Sequence, residues 1–436
     1  MWGESQEKYP LAVDENSRNT DEMNLGVCYN NITLAPAGKG RRVAMTVVDI
    51  RSFITVRNVE LIEVNNDFIY YAEEKNEEGH NNLFLLEYNR VTRRERVITH
   101  YSLDDPTFVQ HIYSFVDSIV LLLENGGSAV WVFRVDKNTG EETVRTQLNC
   151  IGGFAGSKAL DKRHVLVYTE ANEEFFDLFK EYQRVTGCAR VAYLYDIEKE
   201  EKYFVKNLRL CRRSGEDFLL YSTQEGKQVL LLDPYGDETL KQRCYRSARW
   251  INTQVRDNLW VIPLKRLMEG IKRGEEEFRE RPVITADING LVRFSGMDKH
   301  NIYFKAKHFP TGRERICRYD KNSGEIQVAA DLAQSETQAC SYYIEERNAK
   351  AYRLEEYDET ILVHGVVNSA VHAEYEKKLG QLVSCVEDRF LITRKVVYDD
   401  QGNYEFEYNS IYDIVKKTEE SFECKCAVWG NTLVLF

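Results

Sequence analysis

VDKNTGEETV occupies residues 135–144, and YDKNSGEIQV occupies residues 319–328. Each begins where an apolar run ends, AVWVFRVD (129–136) in one and RERICRYD (313–320) in the other. Each continues into a second strand-forming run, ETVRTQL (142–148) and EIQVAAD (325–331). Asp136 and Asp320 supply side chains that accept hydrogen bonds from backbone amides in a turn. Gly140 and Gly324 supply the left-handed conformation that ends it. Both stretches are therefore predicted β-hairpins of the same loop type.

Looser copies of the hairpin occur at NNLFLLEYNRVTRRERVIT (81–99), ARVAYLYDIEKEEKYFVKNL (189–208), QVLLLDPYGDETLKQRC (228–244) and NSIYDIVKKTEESFEC (409–424). Upstream of these hairpins stands another strand-like run, as in NNDFIYYAEE (65–74), DSIVLLLENGG (117–127), KRHVLVYTEAN (162–172) and DKHNIYFKAK (298–307). A weaker run precedes that one, such as PTFVQHIYSF (106–115). The unit is four short strands. Asp136 and Asp320 lie 184 residues apart, and four unit steps across that gap give a mean of 46. A four-stranded repeat of about 40–50 residues buries both faces only by stacking on its neighbours, which is the logic of a β-propeller.

The units resemble blades of bacterial β-propellers with degenerate repeats. They lack the Gly-His and Trp-Asp marks of WD40 repeats, since Val132 follows Trp131, and Gly126-Gly127 and Gly152-Gly153 are isolated rather than repeated as in Kelch blades. The resemblance is architectural and carries over no functional residues. It implies an all-β fold, a single propeller over residues 25–436, with residues 1–24 as a flexible polar arm. Seven blades of four antiparallel strands are expected, with eight as the alternative count. KCAVWGNTLVLF (425–436) reads as two strands without a following hairpin. LGVCYNNITLAP (25–36) and RRVAMTVVDI (41–50) read as two strands without a preceding pair. The chain ends are expected to share one blade, which removes free sheet edges.

Three segments break the strand pattern and are predicted helical insertions. NEEFFDLFKEYQRVTG (172–187) has Asn172 as a cap and an apolar face of Phe175, Leu178, Phe179 and Tyr182. Residues 263–281 open with Pro263 and carry a stripe of Leu264, Leu267, Met268 and Ile271. Residues 369–380 have Ser369 as a cap, a stripe of Val371, Tyr375 and Leu379, and Gly380 as a stop. The first two are placed between the second and third strands of their blades, so all the helices are expected to decorate one face.

The 436-residue chain carries a net charge of −12, the wrong sign for a general nucleic-acid binder. No run approaches the ~18 apolar residues of a membrane span. MWGESQEKYP has no apolar run, so no secretory leader is expected. Ten Cys without a C-x-x-C pair read as reduced thiols, and a cytoplasmic location is expected.

Against that acidic background, residues 206–249 hold nine Lys and Arg and six Asp and Glu. Arg209, Arg212 and Arg213 fall at one inter-blade connection, and Arg243, Arg246 and Arg249 at the next, beside Trp250. Guanidinium forks suit carboxylate or phosphate, and Trp250 offers a stacking surface. These seven residues are the candidate site for an anionic ligand or an acidic segment of a protein partner. GGFAGSK (152–158) fails the phosphate-loop spacing, because Ser157 precedes Lys158. No H-E-x-x-H, Cys/His ligand spacing or G-x-S-x-G occurs, so no metal, cofactor or catalytic residue is assigned. The chain reads as a protein-interaction or ligand-binding scaffold rather than an enzyme. A hydrolase or lyase with its site at the mouth of the central channel is the alternative.

Overall fold

The computed structural model describes residues 45–436 except 55–58, 78–79, 104–106, 126–128, 212–217, 236–255, 277, 279–289, 298–299, 309–313, 333–338, 346–349, 366–370, 387–388, 399–400 and 403. The described strands form eight separate sheets. Sheets I to VII follow one another along the chain, over residues 59–103, 107–148, 153–204, 218–263, 290–332, 339–376 and 381–422. Six of the seven are four-stranded antiparallel meanders, and sheet IV has three described strands. Sheet VIII joins Thr46–Asp49 to Cys426–Trp429 and Thr432–Leu435, so both ends of the described chain meet in it. Its Thr46–Asp49 strand runs parallel to Thr432–Leu435, a departure from the antiparallel closure expected. The expected strand at 25–36 and the arm at 1–24 lie outside the described residues.

Alternation with period two explains the packing. In the second strand of sheet II, Ile119, Leu121 and Leu123 point to sheet I, where they meet Tyr70, Leu83 and Leu85. Val120 and Leu122 point the other way, to Val165, Val167 and Tyr193 of sheet III. Such two-faced burial, at roughly 1.5–3 kcal/mol per large aliphatic or aromatic side chain, is what forces each sheet to have two neighbours. Sheet III packs on IV, IV on V, VI on VII, VII on VIII and VIII back on I. Sheets V and VI touch through their first strands.

The quoted hairpin recurs in detail between third and fourth strands. Asp136 Oδ1 accepts from the amides of Asn138 at 2.8 Å and Thr139 at 2.9 Å. Asp320 Oδ1 accepts from Asn322 and Ser323 in the same way. Asn89 in sheet I and Asp413 in sheet VII hold equivalent turns, and Asp196 in sheet III holds a looser one through Lys199. Four residues after each stands a left-handed residue: Arg93, Gly140, Glu200, Gly324 and Lys417. Three of these are not glycine, which is why the copies look degenerate. The step from Asn89 to Asp136 is 47 residues, but the step from Asp136 to Asp196 is 60, because a helix intervenes. Asp136 and Asp320 are three sheets apart, not four.

Helix α1 (Phe176–Thr186) joins the second and third strands of sheet III. Asn172 Oδ1 accepts from the Phe175 amide at 3.0 Å just ahead of it, and Gly187, at φ 72°, ends it. Helix α2 (Leu208–Cys211) follows sheet III. Helix α3 (Leu264–Lys272) buries Leu264, Leu267 and Ile271 against sheets III and IV. It follows the third strand of sheet IV rather than the second, so it sits at the opposite end of the strands from α1. Lys272 accordingly reaches Asp196, at the end of sheet III remote from α1.

The predicted helix at 369–380 is instead the strand Val371–Glu376 and a 3-10 turn, Lys377–Leu379. Ala373 and Tyr375 are buried while Val371, Glu374 and Glu376 are exposed. That is a period of two, and the strand completes sheet VI by pairing with Thr360–Gly365. The spacing of Val371, Tyr375 and Leu379 fits either period, and an open sheet edge decided it.

Candidate functional site

The predicted basic site falls almost wholly outside the described residues. Arg212, Arg213, Arg243, Arg246, Arg249 and Trp250 lie there, and Arg209 belongs to α2. The best-defined cluster of ionisable groups lies elsewhere, at the end of sheet III that faces α3.

It is built on the repeated turn. Asp196 ends the third strand of sheet III and is fully buried. Arg163, just before the second strand, grips it with two parallel hydrogen bonds, Nε to Oδ1 at 2.5 Å and Nη2 to Oδ2 at 2.6 Å. Burial works to raise the Asp196 pKa, but the hydrogen bonds and charge of the Arg163 guanidinium lead the effects that outweigh it and hold it at about 2. His164 begins the second strand and is 8% exposed. Its Nδ1 lies 3.0 Å from Asp161 Oδ1, and its Nε2 lies 3.0 Å from Lys272 Nζ of α3. Asp161 also caps the turn into the strand through the amides of Arg163 and His164. Burial opposes ionisation of Asp161, yet its bonds to His164 and these amides leave its pKa below the ordinary value. Glu198 receives Arg163 at 3.1 Å and Arg134 of sheet II at 2.8 Å, which ties a third sheet into the network.

Sheet VII holds the same pair at the same place. Arg389 Nη2 donates to Asp413 Oδ2 at 2.7 Å, and both side chains are buried. The Arg163 and Arg389 carbonyls each accept from the residue after the aspartate, Ile197 and Ile414. The backbone bond thus recurs along the chain, with Asp67, Asp117 and His300 at the same place in sheets I, II and V, whereas the arginine–aspartate clamp is shared by sheets III and VII and only the former adds His164, Asp161 and, from α3, Lys272. Each carboxylate here already accepts from a cation or an amide, so the arrangement suits holding α3 and the turn in register more than acting on a bound substrate. Among the described residues, no three His, Cys, Asp or Glu side chains converge as metal ligands. Sequence reasoning passed over this cluster. Its signal was D-K-R-H at 161–164, but Asp196 and Lys272 come from 33 and 108 residues away.

A second feature stands at the other end of sheet III. Helix α1 packs by Phe179, Tyr182 and Phe175, leaving Leu178 at 54% and Val185 at 68% exposed. With Glu181 they form one ridge at i, i+3 and i+7. Glu181 is braced by Arg184 at 2.5 and 2.7 Å. Phe176, at 58% exposure, and Ile151, at 41%, are further exposed apolar side chains of this part of the chain.

The chain is built of successive antiparallel sheets and is similar in fold to β-propeller domains. No family model matches it, and no curated protein does. It is similar to the β-propeller domain of the Trilobed protease from Pyrococcus furiosus, at 9% identity over 84% of this chain and 94% of that one, with a TM-score of 0.40. It is likewise similar to an uncharacterized protein from Listeria monocytogenes, at 8% identity over 88% of this chain and 98% of that one, with a TM-score of 0.43. A third likeness is to the Pyrococcus horikoshii acylaminoacyl peptidase, at 11% identity over 84% of this chain, with a TM-score of 0.42. There the match spans 52% of the peptidase chain. These likenesses concern fold and carry no activity to this chain. Among the described residues, no helix is long and apolar enough to cross a membrane.

Proposed function

We propose that the chain is a single β-propeller of eight blades, one per sheet, that acts as a protein-interaction scaffold. Packed sheet faces at every step but one, with V and VI touching through their first strands, support the blade assignment, which exceeds the sevenfold count by one. The observation that carries the interaction reading is the α1 ridge. An insertion that buries Phe179 yet leaves Leu178 and Val185 in water keeps apolar surface that folding does not need. The α1 segment, residues 172–187, holds Glu173, Glu174, Asp177 and Glu181 against Lys180 and Arg184. The partner that fits is an amphipathic segment with apolar side chains at helical spacing and flanking Lys or Arg. Self-pairing of α1 about a two-fold axis fits less well, because it sets Glu181 against its own copy.

Photo-crosslinking tests the reading. Benzoylphenylalanine at position 178 or 185 should trap one common protein in the source cell through a basic amphipathic segment, and at position 180 it should not. Equal trapping from 180, or adducts only between copies of this chain, overturns it. The basic stretch from Arg209 to Trp250 carries the separate expectation of an acidic partner segment. Joint reversal of Arg212→Glu and Arg246→Glu tests that, and unchanged binding would dispose of it.

A further inference from the structure

The contact between His164 and Lys272 is a hydrogen bond in only one arrangement of protons. Lys272 is an ammonium, which has donors and no acceptor. At 3.0 Å from it, His164 Nε2 must present its lone pair. The ring proton then sits on Nδ1 and is donated to Asp161, whose oxygens lie 3.0 and 3.1 Å away. In that arrangement the ring is uncharged and bridges the loop before its own strand to the last turn of α3.

Adding a proton to Nε2 turns the acceptor into a donor and sets two cations 3.0 Å apart. The imidazolium keeps Asp161 and gains Asp196 Oδ2, at 3.5 Å. Lys272 is left with the same Asp196 oxygen, at 3.4 Å, which already receives Arg163. Among the described residues, the other charges nearby give it no new partner. Glu198 is held by Arg163 and Arg134, and Glu201 by Tyr203, whose ring lies beneath the ammonium at 5.4 Å. On α3 and just beyond it, Glu275 pairs with Arg266 and Glu269 with Arg273, while Lys206 lies beside Gly274. Of the two cations, Lys272 can leave, because its side chain is 30% exposed and His164 is fixed by its strand.

We infer that His164 is a proton-operated latch on α3: neutral, it holds Lys272 and the last turn of the helix against sheet III, and protonated, it releases them. Leu264 and Leu267 keep the first turn seated in either state. The loosened part is the turn from Gly270 to Gly274, with Ile271 and Phe278 behind it. This latch is independent of the α1 ridge and of any partner.

Hydrogen exchange of the full chain, read by mass spectrometry on peptides covering 264–276 and corrected for intrinsic rates, tests it between pH 8 and pH 5.5. Protection of the last turn should fall several-fold on acidification, while peptides from the second strand of sheet II stay constant. In His164→Gln the same peptides should show no pH dependence. Lys272→Met, which removes the tether without touching the buried imidazole, should also be flat. A wild-type profile that does not change, or a variant that keeps the wild-type drop, overturns the latch. If His164→Gln does not fold, the Lys272→Met profile decides alone.

Discussion

The two copies of the opening hairpin offer a matched experiment. Gly140 and Gly324 sit at φ 75° and φ 72° in turns of the same kind, so alanine at either position takes on the left-handed penalty of about 1–2 kcal/mol, partly offset by a stiffer unfolded chain. The surroundings differ. A Cβ on Gly140 would be driven into the carbonyl oxygen of Ile98 in sheet I, a backbone atom that cannot rotate away. Among the described residues, a Cβ on Gly324 meets only the Tyr319 hydroxyl, at 3.7 Å. The sheet II turn is also gripped by Arg96, which donates to the Lys137 and Asn138 carbonyls, so the clash must displace a clamped edge. Overpacking of that sort costs about 1–3 kcal/mol. Gly324→Ala should therefore lose about 1 kcal/mol and Gly140→Ala about 2–4. Scanning calorimetry can resolve the difference, since a chain of this length melts roughly 1 °C lower per kcal/mol. Equal losses for the two variants would refute the claim that the sheet II turn docks on its neighbour while the sheet V turn meets no such backbone among the described residues.

Asp413→Ala strands the Arg389 guanidinium in a buried site and should cost about 3 kcal/mol in urea unfolding; pairing Asp413→Leu with Arg389→Met should restore most of it. Asp161, Asp196 and Asp413 all have folded pKa values below their ordinary ones, with Asp196 at about 2. Their contribution is complete above the unfolded value of about 3.9 and is lost as pH falls through the folded value. The melting temperature should hold from neutrality to about pH 5, then drop towards pH 2, and Asp196→Asn should make that acid slope shallower. Lys417 is left-handed at φ 58°, so Lys417→Gly should raise the melting point slightly rather than lower it. Burial pushes the Cys211 thiol up to about 12 and the Cys317 thiol up to about 11. Neither should react with a maleimide at pH 8 until denaturant is added, as peptide mapping can show.

The hairpins were legible because an Asx turn and its left-handed residue are local, set by five neighbouring side chains. Their number was less so. Insertion of α1 lengthens one repeat, the two steps from Asp196 to Asp320 span 124 residues and hold α3, and the mean spacing taken from Asp136 and Asp320 absorbed these added lengths as an extra unit. Helices α1 and α3 could be read from capping and stripe, since nothing competes with the local pattern there. At 371–376 the local pattern fitted two periods, and the choice was made by hydrogen bonds to Thr360–Gly365, which the segment itself does not encode. The arginine–aspartate clamps were hidden for a related reason. Arg163 with Asp196, and Arg389 with Asp413, meet only once the second and third strands are paired. Lys272 meets His164 only once the following sheet is in place.

The parallel strand in sheet VIII has a consequence for biosynthesis. Thr46–Asp49 leaves the ribosome long before Thr432–Leu435 and cannot pair with it until the residues of all seven intervening sheets have been made. Sheets I to VII can each form as soon as their own residues emerge. Through that interval the outer faces of sheets I and VII, lined by Ile69, Tyr71, Phe390 and Ile392, stay bare. Nascent chains of this protein are thus most exposed to chaperones, and to mispairing with one another, in the interval before Thr432–Leu435 emerges.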